Sequence, residues 1–219
     1  MDFLKRLLSF IRPVILRTEE GRITQQLEVV YENGRKVLHA ATVNYSFGAL
    51  HDVFRAALKR ADVQTLNPRQ VLILGFGGGS IARILHHELQ LDAAITGVDA
   101  DEIVLQLARE EFDAGKIKHL KLITAKAQDF VQHAKPGYDL ICVDVFVEAQ
   151  VPAECRTNEF IKQLHTLLNK KGTLIFNFMR FLPDEHLPLQ TFLNSSFSSV
   201  DEMVMHLGDA DNVVWVCTK

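Results

Sequence analysis

Two aspartates and a cluster of glycines are the residues whose spacing points most directly to chemistry. The apolar run Val71–Leu74 leads into the glycine-rich segment 75–80, and a second apolar run ends at Asp99. Glycines let a ligand approach the backbone, and a helix start offers free N–H groups. A carboxylate at the tip of the next strand accepts hydrogen bonds from ribose hydroxyls. The pattern predicts a nucleoside site.

The same residues also have purely structural interpretations. A glycine-rich turn can simply be tight, and Asp99 or Asp101 can cap the helix that starts near Glu102. Both roles are compatible if Asp101 is the capping residue.

Asp144 is the residue that we predict to be catalytic. It follows the apolar run Asp139–Val143, and open α/β sheets bind their ligands at the carboxyl ends of their strands. A carboxylate between Val143 and Val145 is expected to have a raised pKa and to act as a general base. The alternatives are that Asp144 lines the substrate pocket or forms a turn.

The histidines give weaker indications. His86 and His87 are adjacent on a helical pattern and point about 100° apart, so they do not converge on a metal ion. We therefore predict no metal site. His51 follows the aromatic segment Tyr45–Phe47. It is either a general acid or base or an ordinary histidine on a helix surface.

Composition excludes several function classes. The 219 residues suit one domain with an appendage. The net charge of −3 lacks the basic stripe of a nucleic-acid binder. No apolar run approaches the ~20 residues of a membrane span. Three widely spaced cysteines indicate reduced thiols and a cytoplasmic protein. The apolar face of the segment Met1–Ile11 suggests a packed helix or a homodimer contact, and peripheral membrane attachment remains open.

The elements that must position these residues alternate in a regular way. Asn33-Gly34 between apolar runs, the first of which includes Ile23, predicts a β-hairpin. A helix is expected over 48–61. Strands are expected at Val71–Leu74, Ala94–Val98, Leu120–Thr124, Asp139–Val143, Gly172–Phe178, Val200–His206 and Val213–Thr218, with helices such as Ile81–Leu89, Glu102–Phe112, Gln128–Ala134 and Asn158–Leu168 between them.

Together these elements predict an α/β fold. Strands rich in Val, Ile and Leu suit a mostly parallel sheet, and the short connection 208–212 makes the last two strands an antiparallel pair. The predicted architecture resembles the Rossmann-like fold of class I S-adenosylmethionine-dependent methyltransferases, with a small N-terminal β-hairpin appendage. We expect the appendage at 1–47 and the methyltransferase-fold domain at 48–219.

The order of motifs resembles the spermidine synthase (polyamine aminopropyltransferase) family. The stretches are VLILGFGGGS, GVDADEIV, YDLICVDVF and GTLIFN. The resemblance implies S-adenosylmethionine or its decarboxylated form as cofactor, a small-molecule acceptor and no metal. It implies Asp144 as the catalytic residue. The cofactor-binding residues that it implies are Gly75, Phe76, Gly77, Gly79, Asp99, Ala100, Ala127 and Gln128.

The chain departs from the family at positions that matter for polyamines. Gly78 and Val147 stand where the family has acids, and Lys126 stands where an acid receives the adenine amino group. The family's tyrosine aligns best with Phe47, although Tyr45 is two residues away. A lysine side chain cannot accept a hydrogen bond. Gln128 or Asp129 would therefore have to take over the role of the missing acid. Three hypotheses follow: a methyl or alkyl transferase, a divergent aminopropyltransferase, and a non-catalytic scaffold protein.

Overall fold

A computed structural model describes residues 2–23, 26–40, 43–46, 49–147, 150–207 and 210–219. The predicted contributions of Phe47 and of the Tyr45 side chain therefore lie outside the described residues. The chain forms a small N-terminal sheet followed by a larger sheet with helices on both faces.

The N-terminal sheet contains the predicted hairpin. Asn33 and Gly34 have φ of 48° and 74°, the left-handed pair that a tight hairpin turn requires. In the described part of the chain the sheet has four antiparallel strands in sequential order, not the two of a simple hairpin. These strands are β1 (Val14–Glu19), β2 (Leu27–Glu32), β3 (Arg35–Ala40) and β4 (Val43–Ser46). Ile23 was predicted to belong to the first strand of the hairpin, but it lies in the connection before β2.

The larger sheet confirms the predicted fold class. Among the described residues it has seven strands in the order β10-β11-β9-β8-β5-β6-β7. Neighbours from β9 to β7 are parallel, whereas β11 is antiparallel to both β9 and β10. The strands are β5 (Gln70–Leu74), β6 (Ala94–Asp99), β7 (Leu120–Thr124), β8 (Tyr138–Val143), β9 (Leu168–Arg180), β10 (Ser199–Leu207) and β11 (Ala210–Thr218).

The helices differ from the sequence pattern in one place. The continuous helix predicted over Ile81–Leu89 is a short helix followed by a π-helical turn at Ile84–Glu88, because the Leu89 N–H bonds to the Ile84 oxygen five residues back. The helices are α1 (Asp2–Leu8), α2 (Ala49–Arg60), α3 (Val63–Leu66), α4 (Ser80–Arg83), α5 (Glu102–Glu111), α6 (Ala127–His133), α7 (Asn158–Leu167) and α8 (Leu187–Ser196).

Apolar packing joins the N-terminal sheet to the rest of the chain. Leu27 and Leu38 from the small sheet share a buried cluster with Val104 and Leu107 of α5. Burial of such side chains contributes about 1.5–3 kcal/mol each. The ion pair of Lys36 with Glu111 at 3.0 Å, whose side chains are 29% and 23% exposed, adds less, because solvent-accessible pairs are worth about 0–1 kcal/mol. Hydrophobic packing therefore holds the sheet against α5.

The N-terminal helix α1 is fastened by polar contacts. The Ser9 hydroxyl accepts a hydrogen bond from the Gly34 N–H at 2.9 Å, and Arg6 Nε donates to the Gly34 oxygen at 2.9 Å. The apolar side chains of the segment face outward, with Phe3 76% exposed and Ile11 84% exposed. The apolar face predicted from the sequence is thus open in the single chain.

Candidate functional site

The glycine turn brings two strand ends into contact. Gly75, Gly77 and Gly79 all have positive φ, between 54° and 90°. A Cβ atom on Gly75 would lie 2.1 Å from the Asp144 backbone oxygen, and the Asp144 N–H donates to the Leu74 oxygen at 2.8 Å. Only glycine fits this approach, so Gly75 sets Asp144 beside the turn.

Asp99 ends β6 directly behind the glycine turn. Its Oδ2 accepts from the Gly77 N–H at 2.9 Å, and its Oδ1 accepts from the Asp101 N–H at 3.1 Å. Burial raises the pKa of Asp99 to about 6, although these backbone hydrogen bonds oppose the shift. Each oxygen retains lone-pair capacity for a further donor. The carboxylate is therefore held by the protein and has acceptor sites for ligand hydroxyls.

Asp101 is the helix cap, as the structural interpretation of the sequence predicted. Its Oδ1 accepts from the Ile103 N–H at 2.9 Å at the start of α5. Its Oδ2 accepts from the Ile23 N–H at 2.9 Å. The second contact links two distant parts of the sequence, and nothing in the local pattern around Asp101 indicates it.

Asp144 follows β8 and has a buried partner that sequence reasoning missed. Asn177 of β9 is fully buried and donates from Nδ2 to Asp144 Oδ1 at 2.9 Å. Burial is the main cause that raises the pKa of Asp144 to about 7; the Asn177 hydrogen bond lowers it and the nearby Asp99 raises it further. The only hint of Asn177 in the sequence is a polar residue inside the apolar run GTLIFNF.

A cavity of about 290 Å³ lies over these strand ends. Seven of the predicted site residues line it, together with apolar side chains from loops and neighbouring elements. The predicted residues in the lining are Gly75, Gly77, Asp99, Ala100, Ala127, Gln128 and Asp144. The structure thus brings the predicted nucleoside residues and the predicted catalytic aspartate into one cavity.

Phe76 and Gly79 are outside the described lining of this cavity. The Phe76 side chain is 3% exposed and packs in the core over Gly97, where a Cβ atom would lie 2.3 Å from the ring. Its side chain thus serves packing, and its place in the cofactor site stays a prediction. Gly79 instead begins α4 with φ of 90°.

The other end of the cavity is largely apolar. Val145, Phe146, Val147 and Met179 line it. Val147, which stands where the resembling family has an acid, is 44% exposed. This end of the cavity is therefore walled mainly by hydrocarbon.

Three side chains line the cavity near the start of α6. Gln128 Nε2 donates to Glu154 Oε1 at 3.4 Å, and both residues line the cavity with Lys126. Of the two candidates to replace an acid at position 126, Gln128 is in the lining, whereas Asp129 is exposed and outside it. The Gln128 amide has both a donor and an acceptor for a ligand base.

The remaining candidates do not join this site. His51 is 5% exposed and not a surface residue; its Nε2 is 2.7 Å from Glu88 Oε1, which links α2 to the π-helical turn. Arg55 also bonds Glu88, and these contacts lower the pKa of Glu88 to about 2. The cysteines at 142, 155 and 217 are free and buried. Burial raises the pKa of Cys155 to about 12, which keeps the thiol protonated.

The described residues contain no group of three or more His, Cys, Asp or Glu side chains arranged to hold a metal ion. Over the same ranges, every helix is too short or too polar to cross a membrane.

Comparison with known sequences points to transferases. Residues 68–216 match the family described as a methyltransferase domain. A probable polyamine aminopropyl transferase of Bifidobacterium longum is 30% identical over 70% of this chain and 32% of its own length. The eEF1A lysine and N-terminal methyltransferase of Bos taurus is 27% identical over 56% of this chain and 19% of its own length. The chain thus spans a third or less of the length of these two relatives.

Solved structures share the fold. A probable spermidine synthase from Corynebacterium glutamicum superposes with a TM-score of 0.73 and 20% identity, covering 94% of this chain and 80% of that one. Human methyltransferase-like protein 13, in complex with SAH, gives a TM-score of 0.61 and 21% identity, covering 78% of this chain and 82% of that one. At these identities the similarity is one of fold.

Proposed function

The chain belongs to the methyltransferase-domain family, and from that premise we propose that it is a transferase that uses S-adenosylmethionine or a close relative. It would transfer a methyl or other alkyl group to a small acceptor. The observation that carries this proposal is the shared cavity, where Asp99 and the glycine turn lie beside Asp144.

The residues present at the nucleoside end fit an adenosyl group. Asp99 offers lone pairs to ribose hydroxyls, and Gly77 places backbone without a side chain at the cavity wall. Ala100 and Ala127 add small apolar surfaces on either side, and Gln128 offers its amide to the base. Lys126 does not accept a hydrogen bond, so Gln128 takes the place of the expected acid in this proposal.

At the acceptor end, Asp144 would receive a proton. When bound, the sulfonium supplies the carbon that is transferred. An amine or hydroxyl acceptor must release a proton when it is alkylated, and Asp144 lines the cavity with a pKa raised to about 7. A base whose pKa lies near the working pH is well suited to proton transfer. Asn177 would orient this carboxylate through its 2.9 Å hydrogen bond.

A divergent polyamine aminopropyltransferase is the second candidate function. It is favoured by the relative from Bifidobacterium longum and by Glu154 as a further carboxylate in the lining. It is disfavoured by Val147, since a desolvated ammonium without a partner costs several kcal/mol. A scaffold protein without catalysis is the third candidate, and loss of nucleoside binding would support it.

Calorimetric titration tests the proposal. The purified protein is titrated with S-adenosylmethionine, its decarboxylated form, methylthioadenosine and S-adenosylhomocysteine. We expect tightest binding of the methionine-bearing compounds, and about tenfold or more weaker binding by an Asp99→Asn variant, which loses charge-assisted hydrogen bonds. Preference for the decarboxylated form would favour aminopropyl transfer. Absence of binding by all four compounds would contradict both enzyme functions.

The assembly state and location are further parts of the proposal. We propose a homodimer that covers the outward apolar side chains near Phe3 and Ile11, because large exposed apolar patches mark interaction surfaces. Light scattering of wild type and a Leu7→Glu variant tests this, and a monomeric wild type would contradict it. We propose a cytoplasmic location from the three free cysteines.

A further inference from the structure

One carboxylate fastens the connection between β1 and β2 to the nucleoside end of the cavity. Asp101 Oδ2 accepts the Ile23 N–H at 2.9 Å, although the two residues are 78 positions apart in the sequence. Asp101 is 2% exposed. A hydrogen bond to a buried carboxylate is stronger and less screened than one in water, so this contact is a firm attachment point.

The attached residue is part of the cavity wall. Ile23 lines the cavity together with Asp99, Ala100 and Asp101. Ile23 belongs to the N-terminal region, whereas Asp99 ends β6 and the other two residues follow it. The N-terminal segment thus supplies apolar surface to the end of the cavity where Asp99 is positioned.

Asp101 is also bonded to Asp99. The Asp101 N–H donates to Asp99 Oδ1 at 3.1 Å, and the other Asp99 oxygen accepts the Gly77 N–H at 2.9 Å. A continuous set of hydrogen bonds therefore runs from the glycine turn through both aspartates to Ile23. The geometry of the ribose acceptor and the position of the apolar wall depend on the same residue.

A neighbouring ion pair is a weaker attachment. Arg22 and Glu102 approach to 3.0 Å, with their side chains 72% and 57% exposed. Exposed pairs are screened by water and salt and contribute little. The ion pair follows the placement of the segment and does not fix it.

We propose that Asp101 is a positioning residue that holds Ile23 against the bound nucleoside, so that the N-terminal segment forms part of the cofactor site. This inference rests on the proposed function, because it requires an adenosyl ligand in the cavity. It assigns Asp101 a role beyond capping α5, and it makes Ile23 a determinant of nucleoside affinity.

Two variants separate the two roles of Asp101. Asp101→Ser retains a good helix-capping residue, but its single short hydroxyl cannot also accept the Ile23 N–H. Ile23→Ala keeps the backbone attachment and removes most of the apolar surface that Ile23 contributes to the cavity wall. Glu102→Gln is the matched control, since it removes the exposed ion pair next to the attachment and leaves Asp101 intact.

We expect the dissociation constant for S-adenosylhomocysteine to rise about fivefold to tenfold in Asp101→Ser and in Ile23→Ala, as for loss of one partly buried aliphatic contact. Glu102→Gln should bind like wild type. The double variant should bind no more weakly than Ile23→Ala alone, because there is no side chain left to misplace. A purely structural effect of Asp101 would instead multiply with that of Ile23.

Hydrogen–deuterium exchange of the ligand-free proteins gives a readout that does not need the ligand. The Ile23 amide should exchange faster in Asp101→Ser than in wild type, with α5 protection retained. Unchanged exchange at Ile23, or multiplicative effects in the double variant, would overturn the inference. If wild type binds none of the adenosyl compounds but Ile23 is still protected through Asp101, the proposed function fails while the attachment stands.

Discussion

The nucleoside end and the acceptor end of the cavity differ in how their carboxylates are satisfied. Asp99 accepts hydrogen bonds from the backbone N–H groups of Gly77 and Asp101. Asp144 instead has a side-chain partner, Asn177. In the cavity lining, the neighbours of Asp144 are Val145, Phe146 and Val147. A carboxylate held by backbone is fixed by the fold, whereas one held by a single side chain is easily retuned. The first arrangement suits a constant ligand and the second suits a variable acceptor.

The position where the two ends meet gives the largest expected effect. Gly75→Val would place a branched side chain where a Cβ already lies 2.1 Å from the Asp144 oxygen, at φ of 80°. We expect at least about 3 kcal/mol lower free energy of unfolding, measured by urea denaturation. Gly115→Ala is the control, because its nearest atom is 4.0 Å away. Wild-type stability in Gly75→Val would show that the approach of the strands is adjustable.

Asp144→Asn should separate the two ends functionally. Loss of a general base lowers turnover by about 10²–10⁴-fold. Binding of S-adenosylhomocysteine, whose thioether sulfur is uncharged, should be retained because Asp99 is intact. Once an acceptor is identified, steady-state kinetics and calorimetry measure the two effects. Equal losses in turnover and in nucleoside affinity would contradict the division between the ends.

Asn177→Leu should shift the pH dependence of turnover, which depends on Asp144 at the acceptor end, and leave nucleoside binding unchanged. The Asn177 hydrogen bond stabilises the charged form of Asp144, so its loss raises the pKa of Asp144 further above its ordinary value. The rate should therefore reach its plateau at higher pH. Asn212→Leu is the control, since Asn212 is similarly buried on β11.

The raised pKa of Asp144 also makes the free energy of unfolding depend on pH. Because burial raises the folded-state pKa of Asp144 to about 7, the protonated carboxyl favours the folded state at low pH. That contribution is lost as the pH rises from about 4 to about 7. In Asn177→Leu the loss should extend to higher pH. Urea denaturation across this range measures it, and identical pH profiles for both proteins would contradict the role of Asn177.

The smallest effect tests the polarity of the acceptor end. Val147→Asp adds a carboxylate at a half-exposed position in the lining. We expect putrescine binding to tighten about twofold to fivefold and to weaken again with added salt. Val204→Asp, at an exposed position on β10 outside the described lining, should leave binding unchanged. Equal effects of both substitutions would indicate nonspecific attraction.

The fold could be predicted from the sequence because its elements have strong local patterns. The apolar runs became parallel strands, and Asn33-Gly34 became a hairpin turn. Around the predicted hairpin, the described residues of the appendage add the strands β1 and β4. The π-helical turn was missed because a change from four-residue to five-residue bonding leaves the apolar pattern almost unaltered.

One geometric rule brings two of the predicted site residues together. Parallel strands bring their carboxyl ends to one edge, so Asp99 and Asp144 meet in one cavity. The rule does not say where the Phe76 side chain points, and in the structure that side chain turns into the core over Gly97. Local patterns also give no sign of Ile23 in the cavity wall, because the attachment to Asp101 joins segments far apart in the sequence.

The sequence by itself determined the order of strands and helices, the glycine turn and the placement of acids at strand ends. These features depend on local periodicity and on backbone preferences, which each segment carries within itself. Only the tertiary structure decided that Asn177 supports Asp144 and that Ile23 forms a wall of the nucleoside end. Such contacts depend on which side chains packing brings together across the chain, and that is a property of the folded molecule as a whole.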